Sequence, residues 1–226
     1  MTEVSRELDI HKSTAYRLLT TLRDRGLVEQ DAATEKYRLG FGLVLLARAV
    51  SADLDILRCA KPLCERLSER TGETVTVAVL EGDDAVVIHQ SLSRASALSV
   101  DWMGRHTPLH ATAAGKIFLV YMPEDQFLRI LKGPLERFTK NTIVDPVSLR
   151  EHVSRIPDEG YALTVEELET GLSAVGAPIR SAEGAVVGAV SLSGPSFRLS
   201  AADLPSTGEL VKRTATEISR CLGFQG

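Results

Sequence analysis

Residues Asp9–Gly26, DIHKSTAYRLLTTLRDRG, decide how the first part of the chain is read. From Ser13 the stretch has helical periodicity. Ala15, Leu18, Leu19 and Leu22 recur at i, i+3, i+4 and i+7, one stripe for a helix to bury. Ser13, Tyr16, Arg17 and Thr20 point the other way, with His11 and Lys12 just ahead of them. This outer face has small hydroxyls, one aromatic ring and one guanidinium, and no carboxylate before Asp24. A helix stabilised only by solvent mixes signs and uses Glu–Lys pairs three or four residues apart. Short polar and cationic side chains instead suit close approach to a phosphate backbone and to base edges. Gly26 supplies the stop, because glycine takes the left-handed conformation after a helix without a Cβ clash.

Any amphipathic helix has a polar outer face, so the flanks carry the decision. Thr2–Leu8 is a short helical pattern with Val4 and Leu8 on one side, and Asp9–His11 is a polar turn with one apolar plug. After Gly26, Leu27–Gln30 and Lys36–Leu39 read as two strands around the turn Asp31–Glu35. Helix, turn, helix and hairpin make a winged helix-turn-helix. Its second helix enters the major groove, and its wing, here with Lys36 and Arg38, touches the backbone. A complete fold of this kind needs a further helix ahead of Thr2, so the reading head is expected to be shortened.

The whole chain has 226 residues, enough for one large or two small domains, and 44% of them are hydrophobic, enough to bury a core. No apolar run reaches the roughly 18 residues of a membrane span, and the start is not signal-like, so a cytoplasmic protein is expected. The net charge of −4 argues against a general nucleic-acid coat. Its distribution says more. Lys12, Arg17, Arg23 and Arg25 meet only Asp24, whereas Glu166, Glu167 and Glu169 lie downstream. A small cationic reader on an acidic body fits a sequence-specific binder with a ligand domain. The cysteines, Cys59, Cys64 and Cys221, are odd in number and are read as small buried hydrophobes.

Phe41–Leu54 reads as one connector helix, apolar on one side, and Ile56–Ser68 as a second. The period then changes to two. Val75, Val77 and Val79 alternate with Thr74, Thr76 and Ala78; Glu81–Asp84 turns, and Ala85–Gln90 returns as a hairpin. Ala97–Val100 reads as a short strand and Trp102–Pro108 as a loop. Helices are expected over 111–122, 123–131, 146–156 and 203–222, and strands over 161–164, 174–179 and 186–192. Hairpins with grouped helices imply an α+β domain, an antiparallel sheet with helices packed on it. The boundaries follow: a DNA-binding domain over 1–40, a linker over 41–55 and a sensor over 56–226.

Two segments of the sensor invite a ligand. His110–Lys116 opens a helix with small residues after Pro108, where free N–H groups and the helix dipole attract an anion. The same small residues also permit tight helix–sheet packing. Ser191 and Ser193 share one face of an otherwise apolar strand, and if buried they need partners. Thr164–Glu167 leads into Gly171-Leu172 and reads equally well as an acidic turn.

At this point the chain resembles the isocitrate-lyase-regulator (IclR) family of bacterial transcription factors. The resemblance is carried by Lys12–Leu19, Tyr37–Gly40, Leu109–Lys116, Glu166-Glu167 with Gly171, and Ser191–Pro195, ordered and spaced as in the family over nearly the whole chain. It implies a GAF- or PAS-like sensor whose effector sits among Ala113, Ala114, Thr164, Leu172, Ala174, Ser191 and Ser193. Two departures bear on the effector. The family usually has Asp or Ser at Thr164, and an aromatic or His at Arg180. The first removes a carboxylate from the pocket. The helix N-terminus and hydroxyls favour a carboxylate-bearing ligand, a small organic or aromatic acid.

Catalytic signatures are missing from the sequence. There is no G-x-S-x-G elbow at Ser191 or Ser193, no G-x-x-x-x-G-K-[ST] and no H-E-x-x-H. His106 and His110 are four apart with Pro108 between them, which argues against a shared metal-binding face. His89 or His110 as base to a catalytic serine is the enzyme alternative. The expectation is therefore a regulator, read as a repressor, with no cofactor, no metal and no membrane. Lys12, Ser13, Thr14, Tyr16, Arg17 and Thr20 would read double-stranded operator DNA, and Lys36 and Arg38 would hold its backbone. Paired half-sites call for a dimer or a dimer of dimers. The rival reading is a ligand-sensing, dimerising module whose helix-turn-helix is too incomplete to bind DNA.

Overall fold

The computed structural model describes residues 2–31, 34–43, 51–92 and 100–226. The chain divides into two compact units, 1–54 and 55–226.

The first unit holds α1 (Thr2–Glu7), α2 (Lys12–Asp24) and the antiparallel pair β1 (Val28–Gln30) and β2 (Tyr37–Leu39). His11 caps α2, its Nδ1 accepting the Ser13 N–H at 3.4 Å. Gly26 takes φ of 70° and ends the helix as its sequence implies. Two further glycines serve the exit of the hairpin. A Cβ on Gly40 would lie 2.3 Å from the Gly26 carbonyl oxygen and one on Gly42 2.7 Å from it, so only glycine lets β2 leave so close to the helix stop. The expected stripe is buried in half. Ala15 and Leu19 are enclosed, but Leu18 is 48% and Leu22 38% exposed. The described neighbours of α2, a six-residue helix and β1, cover only one side of it. Half of the connector helix expected over 41–54, residues 44–50, lies outside the described residues.

α3 runs unbroken from Ser51 to Thr71, through the start of the second unit, so the break expected between two helices near residue 55 does not occur. The sheet follows: β3 (Thr74–Glu81), β4 (Asp84–Ser91), β5 (His106–Pro108), β6 (Ala162–Val165), β7 (Leu172–Arg180) and β8 (Val186–Pro195). Its order is β5-β4-β3-β8-β7-β6, with every pairing antiparallel. β5 corrects the expected loop over 102–108: it pairs with Asp84–Val86 at the sheet edge, too short to show a period in sequence. The strand expected over 97–100 lies almost wholly outside the described residues. The helices are α4 (Ala113–Tyr121), α5 (Glu124–Lys132), α6 (Pro146–Val153), α7 (Ile156–Glu159) and α8 (Leu204–Cys221). The single helix expected over 146–156 is thus two pieces, parted at Ser154-Arg155 ahead of Pro157.

The period-two pattern sorts the two faces of the sheet. Val75, Val77, Val175, Ile179, Val190 and Leu192 point to one side and form a core with α3 and α8. Ala78 and Ala189 point to the other and pack with α4, α6 and the start of α7. The unit is therefore a sheet covered by helices on both faces, one face large and apolar, the other built from Ala, Gly, Ser and Thr.

The cysteine reading needs correction. Cys59 of α3 and Cys221 of α8 form a disulfide, and only Cys64 is the buried free thiol expected, with burial pushing its pKa up to about 12. Two helices laid side by side on one sheet face bring together residues 162 positions apart. An odd cysteine count does not forbid one pair.

Candidate functional site

Each unit carries a candidate site. On α2, Lys12, Ser13, Thr14, Tyr16 and Arg17 are exposed, while Thr20 is half-buried and its hydroxyl has no partner among the described residues. Ser13 Oγ lies 2.9 Å from His11 Nδ1, so the cap engages that hydroxyl. Arg17 is in none of the ion pairs found among the described residues, which leaves its guanidinium available. The wing differs. Lys36 is exposed, but Arg38 stands opposite Glu29 in register and donates Nε and Nη2 to the same carboxylate oxygen at 3.2 and 2.9 Å. Arg38 is thus exposed but paired within its own hairpin, whereas Lys36 is not in any ion pair found among the described residues.

The second unit has a cavity on the small-residue face of its sheet. The empty space within it, open solvent at its mouth included, is about 610 Å³. Ala113, Ala114, Thr164, Leu172, Ala174, Ser191 and Ser193, the seven residues singled out from sequence, all line it. Ser191 and Ser193 face Thr76 and Thr74 across β3 and Gly176 and Ala174 across β7, which sets the floor. Residues not foreseen complete the walls, among them Thr76, Val87, Trp102, Thr107 and Leu168. Trp102 precedes the edge strand that sequence reads as loop, and Leu168 sits in the acidic turn, so neither carries a periodic signal.

The first turn of α4 meets the cavity with Ala113 and Ala114. Thr112 caps it, its hydroxyl accepting the Gly115 N–H at 3.1 Å and donating to the Pro108 carbonyl at 2.9 Å. Two glycines let the helix sit this close. A Cβ on Gly115 would fall 2.4 Å from the Leu109 backbone, and one on Gly176 2.9 Å from the Ala113 carbonyl carbon and 3.0 Å from Ser191 Oγ. The two uses of small residues therefore coexist: glycines for packing, alanines at the cavity. Ser191 Oγ is buried beside this turn and has no hydrogen-bond partner among the described residues. Such a group costs free energy unless something occupies the space.

Just behind the wall lies a charged cluster that the sequence hides. Lys116 is fully buried, its Nζ 2.6 and 2.8 Å from the two oxygens of Glu167, 3.2 Å from His152 Nε2 and 3.4 Å from the Leu163 carbonyl. Burial pushes the lysine down and the glutamate up, and their pairing opposes both shifts. His152 is lowered to about 4, first by burial and then by the Lys116 charge. Glu167 is therefore no solvated acidic turn. Arg180 stays off the cavity: its guanidinium stacks over Tyr121 at 4.7 Å and donates to the Gly184 carbonyl.

The model of the IclR C-terminal domain of bacterial transcriptional regulators matches residues 48–220, and that of the IclR helix-turn-helix domain matches residues 1–32. The chain belongs to the IclR family. Curated IclR-type relatives include the HTH-type transcriptional repressor AllR of Salmonella typhi and that of Escherichia coli K12. Each is 35% identical over the whole of this chain and 83% of its own length. Among solved structures, the Thermotoga maritima IclR is 30% identical with a TM-score of 0.78, covering 99% of this chain and 90% of its own. An IclR homologue from Microbacterium hydrocarbonoxydans, complexed with 4-hydroxybenzoate, is 27% identical with a TM-score of 0.89, covering 98% and 90%. The protein is accordingly an IclR-family transcriptional regulator with a helix-turn-helix and an antiparallel-sheet domain, and its family is one of regulators rather than enzymes. Of the histidines weighed as a base for Ser191 or Ser193, His89 is bonded to Ser91 and His110 to the Glu136 carbonyl.

Proposed function

We propose that the protein is a ligand-responsive repressor in which a small organic or aromatic acid, held in the second unit, modulates operator binding by the first. The observation that carries this reading is the cavity itself, where the first turn of α4 meets the Ser191 hydroxyl, which has no partner among the described residues. Amide donors at a helix start, the Ser191 hydroxyl and walls in which Ala, Leu, Val and Trp side chains alternate with threonines suit one carboxylate on a compact body. Relatives named as repressors and a homologue complexed with 4-hydroxybenzoate support both halves of the reading.

Residues 1–40 act as the reading head, 41–55 as connector and 56–226 as sensor. Lys12, Ser13, Thr14, Tyr16, Arg17 and Thr20 face the major groove, with Lys36 and Arg38 at the backbone. Bound acid favours one arrangement of the sensor, and the connector carries that difference to the spacing of two heads. Half-site recognition requires a homo-oligomer, a dimer or a dimer of dimers. No described helix is long and apolar enough to cross a membrane.

The test is binding of the 226-residue chain to DNA upstream of its own gene, against scrambled DNA, across a salt series, with and without a panel of carboxylic acids. Specific binding that weakens steeply with salt and is altered by an acid supports the proposal. Ser191→Ala should leave thermal stability nearly unchanged while weakening the acid response about fivefold, the worth of about one hydrogen bond. Response to neutral compounds alone would overturn the ligand class.

A further inference from the structure

The cavity has two walls from distant parts of the chain. One is the first turn of α4, with Ala113 and Ala114; the other is the turn between β6 and β7, with Leu168 and Leu172. Each wall abuts a residue of the buried charged cluster. Lys116 follows Ala114 by two positions, and Glu167 immediately precedes Leu168. Their ion pair, with Nζ 2.6 and 2.8 Å from the two carboxylate oxygens, is a direct tie between the walls, although neither side chain lines the cavity.

The turn is also held from behind. Thr142 donates its hydroxyl to the Glu167 carbonyl at 2.6 Å, Thr139 donates to the Glu166 carbonyl at 2.6 Å, and Asn141 Nδ2 reaches the Val165 carbonyl at 3.1 Å. Glu166 has φ of 55°, a backbone state that a glutamate does not choose by itself and that its surroundings must impose. A buried ion pair contributes little net stability compared with apolar side chains of the same volume, because both charges are desolvated. A fully buried lysine tied to a strained turn is therefore poorly explained by stability, and well explained by placement.

We propose that Lys116, Glu167 and Thr142 are positioning residues for the ligand cavity, fixing Leu168 and Leu172 against the first turn of α4. This rests on the reading of the cavity as a ligand site, and it assigns the ligand's fit to residues that never touch it. Removing the tie frees the β6–β7 turn and weakens ligand binding without unfolding the domain.

Trp102 is the only tryptophan and lines the cavity, so its fluorescence reports there. The full chain and three variants are compared. Lys116→Met with Glu167→Leu removes both charges at similar volume; Thr142→Val removes only the hydroxyl; Glu167→Gln keeps an oxygen for Lys116. The readouts are thermal midpoint, amide exchange over 164–172, acrylamide quenching of Trp102, and Trp102 titration with acetate, benzoate and 4-hydroxybenzoate. In the double variant and in Thr142→Val, exchange and quenching should rise while the midpoint stays within a few degrees. Affinity for any acid that binds the parent should fall roughly tenfold, a loss of about 1.4 kcal/mol. Glu167→Gln should fall between parent and double variant. Unchanged exchange, quenching and affinity in the folded variants would overturn the proposal. If no acid binds the parent, the ligand-class reading fails by itself, and exchange and quenching still decide this one. If the double variant does not fold, Thr142→Val decides it by the same readouts.

Discussion

Arg17 and Arg38 have the same side chain in the same unit and different prospects. Arg17 is exposed on α2, among the side chains proposed to face DNA, and is in no ion pair found among the described residues. Arg38 already satisfies Glu29 with two donors. A guanidinium that must first leave a carboxylate gains less from a phosphate than one that waits in water. Arg17→Ala should therefore weaken operator binding by about 1–3 kcal/mol if it reads a base, or lower the salt slope by about one if it holds a phosphate. Arg38→Ala should cost clearly less. Titrations of labelled operator at several salt concentrations check the pair, and equal losses would show that the Glu29 contact is given up on DNA.

At this scale the sequence was legible where a pattern marks a residue and silent where only the fold does. The alternation Val190, Ser191, Leu192, Ser193 places the serines on one face from sequence, and the strand has them there. Nothing near Lys116 or Glu167 announces that residues 51 positions apart will meet as a buried pair. In the same cluster His152, lowered to about 4, yields a pH prediction. Its unfolded value is near 6.5, so the unfolded chain binds the extra proton first as pH falls. The stability contribution is complete above about pH 6.5 and is lost as pH falls toward about 4. Thermal midpoints of the parent should drop across that window more than those of His152→Gln. Parallel curves would mean that the ring protonates freely in the folded protein.

At the scale of elements, the decisive contact is that of α4 with β7 and β8. Gly176 permits it, since a side chain there meets the Ala113 backbone and Ser191 Oγ within about 3 Å. Gly176→Ala is expected to push the helix start off the sheet, with a cost of about 1–3 kcal/mol. It should also quench the acid response, because Ala113, Ala114 and Ser191 all border that point. Thermal melts and Trp102 titrations test this, and a stable variant with full acid response would show that the helix start can shift without loss. The long elements were legible from periodicity: β3, β4, β7, β8 and α8 fall within a few residues of the spans read from sequence. Two expectations fail for different reasons. The three-residue β5 is too short to show a period, and the helix break expected near residue 55 does not occur because α3 runs through it. The exposure of Leu18 and Leu22 shows the converse, since a stripe states what a helix can bury and not what covers it.

For the whole molecule the chain divides into two compact units, 1–54 and 55–226, so the regulation proposed above is a coupling between a site in each. A ligand shifts such an equilibrium only by its difference in affinity for the two states. The coupling is reciprocal: if saturating acid weakens operator binding by some factor, saturating operator must weaken acid binding by the same factor. Typical couplings are about 5–150-fold, wide enough to measure from both sides. Trp102 titrations of the protein, free and operator-bound, give one factor, and operator titrations with and without acid give the other. Equal factors are expected, and sedimentation of both states should show whether the oligomer persists. Were the oligomer to dissociate with acid, the factors would agree only at matched protein concentration, because subunit association would then enter the linkage. Unequal factors at one concentration and one oligomeric state would mean that the acid acts at a second place, and that the cavity over α4 is not the site through which operator binding is controlled.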